Sequence, residues 1–290
     1  MKRSLELTTM IGCPLMCTIC PQDKLKAAYE GDKYMSLDTL QKALTTVPDD
    51  VKILFCGYSE PWANPDATDM LEYVLSSGYT INVFTTLYGM TDSARVVELL
   101  RKFKSQVDSI WLHLPDNNNM PGYKSSNEYN EALTNMLTLS PNIMTMDDND
   151  RLHDSIKSFN LKATHWPFIT RAENIQPHDS IKVTLAESTN NEYIVECFRN
   201  KDMTENILLP NGDVTLCCMD YGNKHVIGNL LHQTYDEVLK GIEPIKTANA
   251  TLFDKSTLCR KCQDTYHRTP WNDEEVYEMV KQIDPDSLGL

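Results

Sequence analysis

Gly12-Cys13-Pro14-Leu15-Met16-Cys17-Thr18-Ile19-Cys20-Pro21-Gln22 is the stretch on which the reading of this chain turns. Three thiolates at the C-x3-C-x2-C spacing of Cys13, Cys17 and Cys20 can hold three irons of a four-iron cluster and leave the fourth iron open. An open iron can chelate a small ligand through an amine and a carboxylate. A partial zinc site and chance recurrence in a nine-cysteine chain are the alternatives. Zinc usually takes four ligands, commonly from C-x2-C pairs, and no His or Cys near Cys20 offers an obvious fourth.

The run follows a short alternating stretch, Leu5, Leu7 and Thr8-Thr9, which reads as a first strand. Working outward, strand-like and helix-like segments alternate. Ser36 caps a helix with Leu37, Leu40 and Leu44 on one face. Val51–Cys56 suits a buried parallel strand. Pro65 sits at the start of a helix carrying Ala67, Met70, Leu71, Val74 and Leu75, which Gly78 ends. Thr80–Thr85 is the next strand, and Thr91 or Asp92 opens a helix reaching Leu100 and Phe103. Ile110–Leu114 is a strand, Asn127–Leu139 a helix, Ile143–Met146 a strand, Asp150–Phe159 a helix and Leu161–Ile169 a last strand. About six β-α units imply an α/β fold with a parallel sheet, a partial (β/α)6 barrel too short to close at eight. The cysteine run then lies in the loop after the first strand, and such barrels do their chemistry at the strands' C-terminal ends.

From about Arg171 the alternation stops, Asn211-Gly212-Asp213 reads as a hairpin turn, and cysteines reappear. A boundary is expected near residues 175–190. The expected divisions are a barrel over 1–180, a small cysteine-rich extension over 181–268 and a helix over 269–290, starting near Asn272-Asp273 and packing Val276 and Val280.

With 290 residues and 41% hydrophobic content, the chain can bury a large core. A formal net charge of -14 disfavours nonspecific binding to nucleic acid or anionic membranes. No run of about 18 apolar residues suggests a membrane helix. Met1-Lys2-Arg3 is basic, but no apolar segment follows it as in a signal peptide. The expected location is the cytoplasm, where thiols stay reduced and nine cysteines read as metal ligands before disulfides.

The motif resembles the signature of the radical S-adenosylmethionine (radical SAM) superfamily, in which three such cysteines bind a [4Fe–4S] cluster and its open iron chelates SAM. The resemblance assigns those roles to Cys13, Cys17 and Cys20, and places Ile19 near the adenine. Gly57-Tyr58-Ser59-Glu60-Pro61, after the second strand, resembles the family's Gly-Gly-Glu-Pro motif, with Tyr58 and Ser59 in place of the second glycine. Glu60 then faces the methionine ammonium. Thr85-Thr86 closes the third strand where the family places polar residues that touch SAM, and Arg171-Ala172-Glu173-Asn174 resembles an Arg-Ala-Gly-Asn stretch. Arg171 suits the SAM carboxylate or a substrate anion.

A second set of cysteines extends the likeness. Cys197, Gly212 and Cys217 stand in a C-x14-G-x4-C pattern, with Cys259 and Cys262 as a distal C-x2-C pair. This resembles the SPASM/twitch extension, in its shorter form with one auxiliary cluster on Cys197, Cys217, Cys259 and Cys262; a four-cysteine zinc site is the alternative. Cys56 and Cys218 are left over, Cys56 as a packed thiol. The cofactors implied are two [4Fe–4S] clusters and SAM.

The reaction implied is reductive cleavage of SAM to a 5′-deoxyadenosyl radical that takes hydrogen from an unactivated carbon. The compact form resembles twitch dehydrogenases and the radical SAM/SPASM proteins of carbohydrate gene clusters. The expected chemistry is oxidation or epimerisation at a carbinol carbon of a sugar-like small molecule, a nucleotide sugar among them, with flavodoxin or ferredoxin as electron donor. Tyr88, His113 and Arg171 are the catalytic candidates, and Asp116, His165 and Trp166 further substrate contacts. A peptide-modifying maturase, a methyl-transferring enzyme and a metal-binding scaffold without catalysis are the competing readings. The barrel begins almost at residue 1, with no N-terminal peptide-recognition module, which disfavours the first of these.

Overall fold

The computed structural model describes residues 3–147, 149–165, 168–175, 183–184 and 194–268. Six strands carry the first part: β1 (Ser4–Leu7), β2 (Lys52–Phe55), β3 (Ile81–Thr85), β4 (Val107–His113), β5 (Asn142–Thr145) and β6 (Thr164–His165). They pair in that order and all in parallel. Helices α1 (Gln22–Ala28), α2 (Leu37–Leu44), α3 (Ala67–Ser76), α4 (Ser93–Lys102) and α5 (Asn127–Leu137) lie between them.

Helices α2 and α5 form where the sequence supplies both a cap and an apolar stripe. Ser36 Oγ accepts the Thr39 N–H at 3.0 Å, and α2 buries Leu40, Ala43 and Leu44. Ser126 caps α5 in the same way through Tyr129 N–H. Helix α3 buries Ala67, Met70, Leu71, Val74 and Leu75, the spacing expected of one helical face. These stripes pack on Leu5, Leu7, Ile53, Phe55, Ile81 and Val83, all fully buried strand residues. Each such side chain removed from water contributes about 1.5–3 kcal/mol.

Strand β1 is buried along its whole length, because it has strands on both sides. On one side Leu5 and Leu7 pair with Ile53 and Phe55 of β2. On the other they pair with Asn206 and Leu208 of a strand from the distant C-terminal part. That part begins with β7 (Phe168–Ile169) and β8 (Val183–Thr184), which among the described residues pair with each other alone. Then come β9 (Ile194–Cys197), β10 (Glu205–Leu208), β11 (Asp213–Thr215), β12 (Val226–Asn229), α6 (Tyr235–Lys240), α7 (Glu243–Ala250) and β13 (Thr265–Arg268). Strand β10 joins β1 in parallel; β11 and β12 continue antiparallel, so one nine-stranded sheet runs β12-β11-β10-β1-β2-β3-β4-β5-β6. Strands β13 and β9 form a separate antiparallel pair.

Two expectations fail locally. Asp150–Phe159 is not an α-helix; only a 3-10 segment, Asp154–Phe159, forms. The Asp147 carboxylate accepts the N–H groups of Asn149 and Arg151 and holds a turn in which Asp150 has φ 59°, a left-handed conformation that a right-handed helix cannot contain. Leu161–Ile169 is not one strand: Thr164–His165 stays in the main sheet and Phe168–Ile169 leaves it for β8. Most of the expected 175–190 boundary and the whole C-terminal helix from 269 lie outside the described residues. No helix among the described residues is long and apolar enough to cross a membrane.

Candidate iron–sulfur and cofactor site

The Cys13–Cys20 loop leaves the C-terminal end of β1 and is held from three directions. Thr18 donates its N–H and its hydroxyl to Asn119, both at 3.0 Å. Gly122 N–H donates to Leu15 carbonyl at 2.9 Å. Gln22 works from inside: its amide oxygen accepts Cys13 N–H at 3.3 Å, and its Nε2 donates to Cys20 Sγ at 3.2 Å and to the Tyr58 carbonyl. Gln22 and Asn119 were not legible as site residues. Gln22 carries a weak signal, lying two positions past Cys20; Asn119 reads only as part of a polar loop.

Cys13, Cys17 and Cys20 open onto one cavity at the strands' C-terminal ends. It holds about 760 Å³ of unfilled space, counting the part open to solvent. Ile19, Gly57, Tyr58, Ser59, Glu60, Thr85, Thr86, His113 and Arg171 all line it, so all eight residues expected at the cofactor are brought together, with His113 beside them. Burial pushes the Cys13 thiol up to about 11, and pushes Cys17 well above the ordinary range.

Gly57 has φ +59°, and a Cβ there would stand 2.5 Å from Thr8 Oγ1 and 2.7 Å from Thr8 N. The end of β2 thus lies against the end of β1 with no room for a side chain. Tyr58 N–H donates to Thr8 Oγ1 at 3.1 Å and fixes the turn that follows.

Glu60 is buried and accepts four hydrogen bonds. One oxygen takes Trp62 N–H at 3.2 Å and the Thr85 hydroxyl at 2.6 Å; the other takes Thr86 N–H at 2.6 Å and its hydroxyl at 2.7 Å. Burial raises its pKa, and the bonds from Thr85, Thr86 and Trp62 pull the other way. The carboxylate therefore pins the end of β3 to the loop after β2. Its lone pairs are engaged within the protein, so a direct ammonium contact requires one of these donors to yield.

His113, at the end of β4, presents a buried Nε2 that has no hydrogen-bond partner among the described residues. Burial lowers its pKa to about 4, Asp116 opposes this, and Arg171 adds to it, so the imidazole stays neutral. Arg171 enters from a turn in which Arg171, Ala172 and Glu173 have φ of 48°, 54° and 62°. Successive left-handed residues without glycine are costly, at about 1–2 kcal/mol each. Asn174 Nδ2 spans the turn, donating to the Arg171 carbonyl at 2.8 Å and to the Met219 carbonyl at 2.9 Å. Burial works against the Arg171 charge, but facing Tyr221, Cys20, Cys218 and Glu6 outweigh it and raise its pKa.

Other candidates lie elsewhere. Tyr88 is in the loop after β3 and is not among the described residues lining the cavity. Asp116 is consumed in a turn, accepting from Asn118 N–H, Asn119 N–H and Asn119 Nδ2. His165 Nδ1 sits 3.2 Å from the Asp147 carbonyl, away from the cavity. Trp166 lies outside the described residues.

Cys197, Cys217, Cys259 and Cys262 line a second cavity, with about 410 Å³ of unfilled space counting the part open to solvent, together with Cys218, Glu6 and Arg199. The pairing of β9 with β13, Cys197 opposite Thr265, brings the first of them to the distal C-x2-C pair. Cys217 and Cys218 both line the cavity. Burial raises the Cys217 thiol, and adjacent Cys218, then Cys259 and Cys262, add to it; Cys218 is set chiefly by burial, Glu6 and the two arginines. Cys56 lines the first cavity and donates to Glu6 at 3.4 Å. Among the described residues, no three His, Cys, Asp or Glu side chains converge closely enough to hold a metal ion directly. The sulfurs that grip the corners of a cubane stand farther apart than the ligands of a single ion.

The SPASM family, an iron–sulfur cluster-binding domain, matches residues 197–263. No curated protein matches the sequence. Among solved structures, BtrN in complex with AdoMet and 2-DOIA shares the fold at 12% identity and a TM-score of 0.52, covering 95% of this chain and 97% of that one. Native anSMEcpe with bound AdoMet aligns at 12% identity and a TM-score of 0.55, covering 90% and 88%. Residues 197–263 are thus a SPASM domain, joined to a mostly parallel α/β sheet in a chain that has the fold of these two AdoMet-bound structures.

Proposed function

We propose that the chain is a radical SAM enzyme with two [4Fe–4S] clusters, one on Cys13, Cys17 and Cys20 and one on Cys197, Cys217, Cys259 and Cys262. The observation that carries this is the convergence of Cys13, Cys17 and Cys20 with Glu60, Thr86, His113 and Arg171 on one cavity, beside a second cavity lined by the other four cysteines. The donor set fits: soft thiols at both places suit iron–sulfur clusters. When bound, the first cluster supplies the electron that cleaves SAM to methionine and a 5′-deoxyadenosyl radical.

The protein's part is positioning and exclusion of water. Gln22 and Asn119 hold the cysteine loop. Glu60 fixes Thr85 and Thr86 at the rim by accepting the proton of each hydroxyl. Arg171 gives the cavity a lasting positive charge for a carboxylate or substrate anion. Neutral His113 offers Nε2 to a substrate hydroxyl.

The substrate reading is a carbinol carbon of a sugar-like small molecule, oxidised or epimerised in the cytoplasm with flavodoxin or ferredoxin as reductant. BtrN, with 2-DOIA bound, is a small-molecule complex on this fold. A peptide-modifying role is the second reading, since anSMEcpe with AdoMet and Cp18Cys peptide has the same fold at a TM-score of 0.52. Reconstituted protein is expected to turn over SAM to 5′-deoxyadenosine, with deuterium from the carbinol position of a labelled polyol or sugar appearing in that product. Deuterium transfer only from a peptide supports the second reading, and S-adenosylhomocysteine as the product refutes both.

A further inference from the structure

The two cysteine sets are joined by a pair of buried tyrosines. Tyr221 Oη lies 3.6 Å from Cys20 Sγ. Its ring packs on Tyr58 with centroids 4.5 Å apart and planes at 52°. Tyr58 Oη donates to the Cys217 carbonyl at 2.9 Å. The chain of contacts therefore runs from a ligand of the first set to a ligand of the second without a gap. Both rings are shielded from solvent, at 2% and 3% exposure, and the Arg171 guanidinium covers Tyr221 at 5.4 Å from its centroid.

We infer that Tyr221 and Tyr58 form the electronic contact between the two sites, the path by which one electron passes between a cluster on Cys13, Cys17 and Cys20 and a cluster on Cys197, Cys217, Cys259 and Cys262. The inference rests on the two-cluster function proposed above. Electron transfer weakens steeply with each unfilled gap, and the two tilted rings pack in the space between the sites. In the exchange, the reduced [4Fe–4S] cluster at one site loses one electron and the oxidised cluster at the other gains it. No bond forms or breaks, and both phenols keep their protons. With Cys20 as a thiolate, Tyr221 is necessarily the donor in their contact, and such hydrogen bonds to ligand sulfur raise a cluster's potential.

The test uses the reconstituted full chain with SAM bound, so that the two clusters give separable electron paramagnetic resonance signals. One electron per chain is delivered by a photoreductant, and its distribution between the signals is followed by freeze-quench. The wild type is expected to redistribute the electron in a fast phase, and Tyr58→Leu and Tyr221→Leu to lose that phase while keeping iron at both sites. Tyr221→Phe is expected to lower the midpoint potential of the first cluster. A fast phase unchanged in both leucine variants, at full iron content, overturns the relay and leaves the two-cluster reading standing. If the leucine variants fail to hold both clusters, Tyr58→Phe and Tyr221→Phe each remove one end of the path; an unslowed phase in their combination overturns it equally. Iron missing from either site in the wild type overturns the two-cluster reading, and the relay with it.

Discussion

Gly57→Ala tests whether the loop behind the cysteine site is built by close backbone approach. Two costs add at this position. The first is conformational: φ +59° is left-handed, which costs an alanine about 1–2 kcal/mol. The second is steric. The new Cβ falls 2.5 Å from Thr8 Oγ1, 2.7 Å from Thr8 N and 2.8 Å from the Leu7 carbonyl carbon. Two of those atoms are backbone at the end of β1, which β2 and β10 hold on either side, so they cannot step aside cheaply. Overpacking of this kind costs a further ~1–3 kcal/mol. The sum is about 2–5 kcal/mol. Gly78→Ala is the control: φ is +92° and nothing lies within 4 Å, so only the conformational cost applies. Guanidinium unfolding of the apoprotein, followed by far-ultraviolet circular dichroism, gives both values. Gly57→Ala is expected to lose at least ~1 kcal/mol more than Gly78→Ala. Equal losses would refute the close-approach argument.

Three further outcomes follow from the same geometry. His113, held near 4 when folded and near 6.5 when unfolded, binds its proton more readily in the unfolded chain, so its share of stability is present above about pH 6.5 and is lost as pH falls through about 4. That share is at most about 3 kcal/mol; unfolding free energy measured against pH should fall less steeply for His113→Gln than for the wild type, and parallel curves would contradict it. Cys17→Ala and Cys259→Ala should each remove about half of the iron of the reconstituted protein, about four of eight atoms, leaving different spectra. Complete loss from one substitution would show that the sites do not load independently. Lys261→Ala breaks the 2.7 Å pair with Glu173, but both side chains are half exposed, so urea unfolding should shift by less than ~1 kcal/mol.

Much of the fold was legible because it obeys short-range rules. Strands β1 to β5 announce themselves by apolar alternation, and Ser36 and Asp92 mark helix starts where helices do begin. The cysteine loop was legible because metal ligation demands fixed spacing. Pairing across long separations was not. Nothing in Glu205–Leu208 says that it will lie parallel beside Ser4–Leu7, about two hundred residues earlier, and that pairing is what sets the second cysteine set close to the first. Tyr221 was missed for the same reason, since its partners Tyr58 and Cys20 are distant in the chain. Local polarity misled at Asp150–Phe159, where the Asp147 side chain holds a turn with Asp150 in the left-handed region. Glu60 was legible as a site residue, but not as a carboxylate already bound by four donors, because Thr85 and Thr86 reach it only through the adjacency of β2 and β3.

The decisive measurement is a single anaerobic incubation of iron- and sulfide-loaded protein with dithionite and SAM, with iron counted and nucleoside products resolved by chromatography. A dark protein that forms 5′-deoxyadenosine, and loses that ability when Cys13, Cys17 and Cys20 are changed to alanine, is the result expected. A colourless protein that holds zinc at those cysteines and leaves SAM intact would contradict the account.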